Sequence, residues 1–192
     1  MGRAEATSRA VLTGEAAAAR NLAVARLSVR TAAALGLLKL VTAVLTGSLS
    51  IVASLVDSVM DLLASSVNYF AVRLAGRPAD ADHAYGHGKA EGLAGLVQSV
   101  VVAFSGGFLF LEGIRRLFTG AGIRRTDLAI AVMLVSTATS VWITWKLRST
   151  ARQTGSLALS ADAVHYASDV WTNLGVLAAL VLIRVTGAEW ID

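Results

Sequence analysis

Residues 49–74 read LSIVASLVDSVMDLLASSVNYFAVRL, a mostly apolar stretch that is long enough to cross a membrane as a helix. Other apolar stretches of similar length flank it, and the whole chain is 55% hydrophobic and 16% charged. Soluble domains ordinarily contain about 25% charged residues. The sequence therefore predicts an all-α, polytopic transmembrane helical bundle.

The apolar stretches predict five spans that together form a transmembrane domain over residues 27–192. The expected bounds of these spans are about 27–46, 49–74, 90–118, 127–145 and 157–185. Residues 1–26 are rich in alanine and carry charges of both signs, which indicates a cytoplasmic tail or an amphipathic helix. The only proline, Pro78, ends the second span and opens a polar loop.

Lysine and arginine residues are distributed unevenly between the two ends of the spans. Eleven fall on the side of the N terminus and five on the opposite side. Because such charges are retained in the cytoplasm, we expect a cytoplasmic N terminus in the inner (plasma) membrane. Topology then explains the net charge of +4, and no nucleic-acid partner is expected.

Two spans carry pairs of ionisable residues near their centres, where charge is costly and therefore indicates function. Asp57 and Asp61 are four residues apart, as are His165 and Asp169. Four residues advance a helix by about one turn, so each pair lies on one face. If the two faces meet, their oxygen and nitrogen atoms suit tetrahedral Zn²⁺. The alternative is that these residues only pair with polar groups of neighbouring helices.

The lack of cysteine excludes thiolate metal sites, disulfides and cysteine nucleophiles. A soft ion such as Cu(I) is therefore a poor match, and the imidazole argues against Mg²⁺ or Ca²⁺.

Three motifs together resemble the cation diffusion facilitator family, in particular its bacterial zinc/proton antiporters of the ferrous-iron efflux type. They are TGSLSIVASLVDSVMD at 46–61, HAYGHGKAE at 83–91 and HYASDV at 165–170. The resemblance implies that Asp57, Asp61, His165 and Asp169 are the transport-site ligands. It also implies a homodimer.

The family usually has six spans followed by a soluble cytoplasmic domain. This chain stops at Asp192, where a sixth span would begin, so we expect the sixth span and the C-terminal domain to be absent.

The polar loop after the second span is a second candidate metal site. Asp80, His83 and His87 lie within eight positions, and the two histidines would share a helix face if the third helix began early. The resemblance implies that these three residues bind a further ion. Asp82, in the same loop, is an alternative ligand. The alternative is that residues 86–88 only form a turn that enters the helix.

Two further charged residues lie within spans. Lys39 is expected to pair with an acidic residue of a neighbouring span, and the alternative is a place on a proton path. Asp162 is interpreted as a residue that favours the positive N-terminal end of the fifth helix, rather than one that attracts cations.

These observations favour a transporter that exports Zn²⁺, or Cd²⁺, Fe²⁺ or Co²⁺, from the cytoplasm in exchange for protons. His165 is the expected proton carrier, because imidazole ordinarily titrates at about pH 6.5. One alternative is a truncated, non-transporting metal-binding membrane subunit. The other is a membrane metalloenzyme, but the sequence has no HExxH motif, and we predict that the chain is not an enzyme.

Overall fold

A computed structural model describes residues 14–46, 49–119 and 127–186, and these residues form five α-helices. In chain order the helices are α1 (Gly14–Thr46), α2 (Leu49–Ala75), α3 (Lys89–Thr119), α4 (Asp127–Thr154) and α5 (Leu157–Thr186). The described residues contain no strand, which confirms the all-α prediction.

Two of the helices are longer than the spans expected from hydropathy. Helix α1 begins at Gly14 rather than near residue 27, and α4 continues to Thr154 rather than ending near residue 145. Alanine, glutamate, glutamine and arginine are good helix formers without forming an apolar run, so a helix can extend beyond its hydrophobic segment. The remainder of the predicted tail (1–13) and the end of the predicted transmembrane domain (187–192) lie outside the described residues.

Among the described residues, three helical segments are long and apolar enough to cross a membrane. They are Gly14–Leu45, Lys89–Phe108 and Ile130–Thr154. Helices α2 and α5 carry the four ionisable residues of the predicted transport site.

The helices are arranged as two antiparallel hairpins and a fifth helix. Helix α1 packs along α2 and α4 packs along α5, while α1 also contacts α4. Helix α3 packs against both α2 and α5. The contact between α2 and α5 is much less extensive, which leaves room between them for a cavity.

Among the residues whose side chains the structure describes, the buried apolar ones lie mainly toward one end of the bundle. We call it the loop end, because it contains the start of α1, the α2–α3 connection and the α4–α5 connection. The core consists of Ala25, Val72, Ala94, Ile143, Leu147, Ala151, Ala158, Leu159, Ala163 and Tyr166. Many of these side chains are small, so the helices can approach one another closely there.

The α4–α5 connection is only two residues long and is fixed by hydrogen bonds. Gly155 has a φ of 73° and donates its N–H to the carbonyl of Ala151 at 2.8 Å, which caps α4. The Ser156 hydroxyl accepts the N–H of Leu159 at 3.3 Å and donates to Glu91 Oε2 at 2.6 Å. The same serine therefore caps α5 and connects the start of α5 to the start of α3.

Candidate metal site

Side chains of α2 and α5 that face each other across the cavity bring three of the four predicted transport-site residues together. His165 Nε2 lies 3.0 Å from Asp61 Oδ1 and 4.0 Å from Asp169 Oδ2. One ligand atom from each of the three residues lies within 4.8 Å of the other two. The pair on α5 converges because its residues are one turn apart on the face that points toward α2.

The fourth predicted residue, Asp57, is placed differently from the other three. It lies one turn before Asp61 on α2, farther from the loop end, and it is exposed. It is not part of the three-residue cluster, but it lines the same cavity as that cluster. Asp57 is therefore near the mouth of the site rather than at its centre.

All five helices contribute to a cavity of about 210 Å³ around these residues. Polar groups on its wall include Lys39, Ser58, Ser105, Ser136, Ser140, Thr172 and Asn173. The ammonium group of Lys39 is close enough to attract both Asp57 and Asp169 electrostatically. The polar wall is suited to water and ions rather than to lipid chains.

Exposure of the cluster increases away from the loop end. The side chain of His165 is 5% exposed, that of Asp61 23% and that of Asp169 33%. The cavity extends from His165 along α5 to Asn173 and along α3 to Phe108, in both cases away from the loop end. Within the described part of the chain, the more exposed side of the site is therefore the one farther from the loop end.

The ligand atoms of the cluster have the types and approximate spacing of a divalent-cation site. Zinc binds nitrogen and oxygen ligands at about 2.0 to 2.2 Å, which places the ligand atoms of a tetrahedral site roughly 3.5 Å apart. The atoms here lie within 4.8 Å of one another. A tetrahedral ion would therefore require these atoms to move closer together.

The loop-end connection between α2 and α3 brings Asp80, His83 and His87 together. His83 Nδ1 lies 3.2 Å from Asp80 Oδ1, and His87 Nε2 lies 3.4 Å from Asp80 Oδ2. One ligand atom from each of the three lies within 4.8 Å of the others. The arrangement exposes Asp80 and His83 and partly covers His87.

The two histidines approach each other for a different reason from the one expected. Helix α3 begins at Lys89, after His87, so the expected common helix face does not exist. Instead a turn reverses the chain, with the N–H of Gly86 donating to the carbonyl of His83 at 2.9 Å. Gly86 has a φ of 76°, a conformation that glycine adopts without strain.

Asp80 is oriented by the backbone of the same loop. Its Oδ1 accepts the N–H of His83 at 2.8 Å and that of Asp82 at 3.2 Å. The hydrogen bond from the His83 backbone holds the pKa of the Asp80 carboxyl below its ordinary value, since it stabilises the ionised form. Asp82 donates its backbone N–H to Asp80, but its side chain is not part of the cluster.

The sequence-based interpretation of Asp162 as a helix-end residue is wrong. Asp162 is fully buried, and its Oδ2 accepts the hydroxyl of Ser28 on α1 at 2.6 Å. The position of Asp162, three residues before His165 and seven before Asp169, places it on the face of α5 that carries the site. This periodicity could have identified it, but hydropathy does not reveal the serine that binds it.

Comparison with known proteins agrees with this arrangement. Residues 25–192 match the family described as the cation efflux transmembrane domain. The cation-efflux pump FieF of Cronobacter sakazakii is 42% identical over 115 residues, which are 60% of this chain and 38% of that protein. An uncharacterized transporter of Synechocystis sp. is 34% identical over 126 residues, which are 66% of this chain and 41% of that protein.

The chain spans about two fifths of the length of these curated relatives. The family match, in contrast, covers most of this chain and confirms that it is a membrane protein. The family consists of transporters and not of enzymes, in agreement with the prediction from sequence. The chain therefore belongs to the cation efflux family, which is the cation diffusion facilitator family, and is of the FieF type.

Proposed function

We propose that this chain is the transmembrane part of an exporter that moves Zn²⁺ out of the cytoplasm in exchange for protons. The observation that carries the proposal is the convergence of Asp61, His165 and Asp169 in a polar cavity between α2 and α5. Asp57, at the mouth of that cavity, is the proposed fourth ligand. Cd²⁺, Fe²⁺ and Co²⁺ accept the same ligand types, so they are alternative cargo.

The hydrogen bond between His165 and Asp61 supports proton exchange. The 3.0 Å contact between His165 Nε2 and Asp61 Oδ1 requires a proton between the two atoms. A metal ion bound by the same two atoms must replace that proton, because metal ligands bind in their deprotonated forms. Metal and proton therefore compete for one position, and His165 is the proposed proton carrier.

We also propose that the loop cluster of Asp80, His83 and His87 binds a second divalent ion. Support comes from the ligand atoms that lie within 4.8 Å of one another and from the low pKa of Asp80, which keeps that ligand ionised. Purified chain with His83→Ala should bind about one zinc ion fewer than the parent, while Asp82→Asn should leave the number unchanged. Equal zinc content in both variants would contradict the loop site.

The proposed setting is the inner membrane, with the N terminus in the cytoplasm and a homodimer as the assembly. Orientation is supported by the excess of lysine and arginine on the side of the N terminus. The homodimer follows from the resemblance to the family. Cross-linking in membranes at low protein density is the measurement that checks it.

Transport can be tested with the purified chain in proteoliposomes loaded with a zinc-sensitive and a pH-sensitive dye. We expect an imposed pH gradient to drive zinc flux, with a proton flux of opposite direction. Asp61→Asn and His165→Ala should abolish both fluxes, because each removes a ligand atom from the cluster. Asp82→Asn, a matched loss of one carboxylate outside the cluster, should leave both unchanged.

Two results would contradict the proposal. Zinc flux that persists without its cluster ligands would exclude this site as the route. Zinc binding without any flux would instead favour the alternative of a non-transporting metal-binding subunit.

A further inference from the structure

A group of polar side chains is completely buried immediately on the loop-end side of the metal site. It consists of Ser28 on α1, Ser65 on α2, and Asp162 and Tyr166 on α5, and we call it the polar cluster. Ser28 Oγ donates to Asp162 Oδ2 at 2.6 Å and lies 3.1 Å from Ser65 Oγ. The Tyr166 hydroxyl donates to the backbone carbonyl of Ser28 at 3.2 Å.

The polar cluster is in line with the metal site on every helix that it joins. Ser65 follows Asp61 by one turn on α2, and Asp162 precedes His165 by about one turn on α5. On α1, Ser28 precedes the cavity-lining residue Ala32 by one turn. The polar cluster therefore occupies the place where a path from the metal site to the loop end would have to pass.

Not all polar atoms at this level are satisfied. Asp162 Oδ1 and both side-chain amide atoms of Asn68 form no hydrogen bond of good geometry in the described part of the chain, although the Asn68 amide lies close enough to interact with the Asp162 carboxyl group. Burying such atoms without partners costs free energy, whereas water would satisfy them. The closed arrangement is therefore held by a few hydrogen bonds and opposed by the atoms that those bonds leave unsatisfied.

We propose that Asp162 is a positioning residue that fastens α1 and α2 to α5 through the polar cluster and so closes the metal site toward the loop end. The inference deepens the proposed function, since a transporter must close its site on one side while it is open on the other. Breaking the Ser28–Asp162 bond separates α1 from α5 and admits water from the loop end.

A polar closure differs from an apolar one in the cost of opening it. Separating two packed apolar surfaces exposes them to water at a cost that grows with their area. Separating the polar cluster instead hydrates Asp162 Oδ1 and the amide of Asn68, which offsets part of the loss of hydrogen bonds. Such a closure can alternate between two states of similar free energy.

The chain has no cysteine, so a single introduced cysteine can report access to the cavity from each side of a membrane. Ser105 lines the cavity and is exposed, which makes Ser105→Cys a conservative reporter. Ala81, exposed in the α2–α3 loop, provides Ala81→Cys as a marker of the loop end. Each is reacted with a membrane-impermeant maleimide in sealed vesicles of known orientation.

We expect Ser105→Cys to react from the side opposite to the one that labels Ala81→Cys. Adding Ser28→Ala should raise its labelling from the loop end by roughly tenfold or more, as expected when one buried hydrogen bond is lost and its acceptor is left unpaired. Tyr166→Phe, which removes only a hydroxyl, should act in the same direction. Ser28→Thr retains the hydroxyl and should restore the parent pattern.

The matched control is Ser168→Ala, because Ser168 lies half-buried on α5 and its hydroxyl donates to the carbonyl of Val164 in the same helix. Unchanged loop-end labelling in both Ser28→Ala and Tyr166→Phe would overturn the inference. An equal increase in Ser168→Ala would also overturn it, since that result indicates general loosening. The labelling does not require transport, so an absence of zinc flux in liposomes would refute the proposed function separately.

Discussion

Asp57 and Asp61 have the same side chain and lie one turn apart on the same helix, yet their surroundings differ. Asp61 forms a hydrogen bond with His165 and is partly covered, while Asp57 is exposed at the cavity mouth. A ligand that is already within hydrogen-bond distance of another ligand needs little reorganisation to bind a metal. The two aspartates should therefore contribute unequally to affinity.

This difference predicts the order of two substitutions. Asp61→Asn should weaken zinc binding by about a hundredfold or more, whereas Asp57→Asn should weaken it by about tenfold, because Asp57 must first move toward the other ligands to reach the ion. Equilibrium competition with a zinc-chelating dye in detergent measures both. Equal losses would contradict the prediction and would indicate that Asp57 needs no more reorganisation than Asp61 to bind the ion.

The candidate site could be predicted from the sequence only where one helix sets the spacing. The pair His165 and Asp169 follows from a four-residue step on α5, and the helix geometry fixes its common face. The burial of Asp162 could not be predicted, because it depends on a serine 134 residues earlier in the chain. The unequal placement of Asp57 likewise depends on how α2 leans against α5.

At the scale of helices, the centre of each span was predicted more successfully than its ends. Apolar runs mark the part of a helix that lies in lipid, and these runs gave all five helices in the correct order. The extension of α1 back to Gly14 and of α4 to Thr154 depends on helix propensity and on packing at the loop end. Hydropathy does not measure either quantity.

The end of α4 provides a test at this scale. Gly155→Ala places a side chain at a φ of 73°, which should destabilise the chain by about 1 kcal/mol. Gly92→Ala is the matched control, because Gly92 lies in helix α3 with open space beside its Cα, and alanine favours helix there. Thermal unfolding in detergent should show a lower midpoint for the first and no decrease for the second.

At the scale of the whole molecule, the buried apolar residues of the described part lie at the loop end, and the cavity extends away from it. If the N terminus is cytoplasmic, the cavity extends toward the side of the membrane to which the proposed exporter would release its ion. The unequal distribution of lysine and arginine is the sequence feature on which that orientation depends.

The orientation can be measured with a single label. In intact cells, the cysteine of the Ala81→Cys variant should not react with a membrane-impermeant maleimide. It should react after the membrane is permeabilised, because the loop end is predicted to be cytoplasmic. Trp171→Cys, on the exposed face of α5, is a lipid-facing control that should react poorly in both cases. Ready reaction of Ala81→Cys in intact cells would reverse the orientation and the direction of export.

The two-residue connection at Gly155 and Ser156 has a mechanical consequence for the whole bundle. Because the connection is so short, the end of α4 and the start of α5 cannot move far apart, which favours movement of the two helices as one unit. Because His165 and Asp169 lie on α5 and Asp61 lies on α2, the distances between the metal ligands depend on how far apart the two hairpins are. A distortion within one hairpin would leave these distances unchanged, whereas a movement of one hairpin relative to the other would change them.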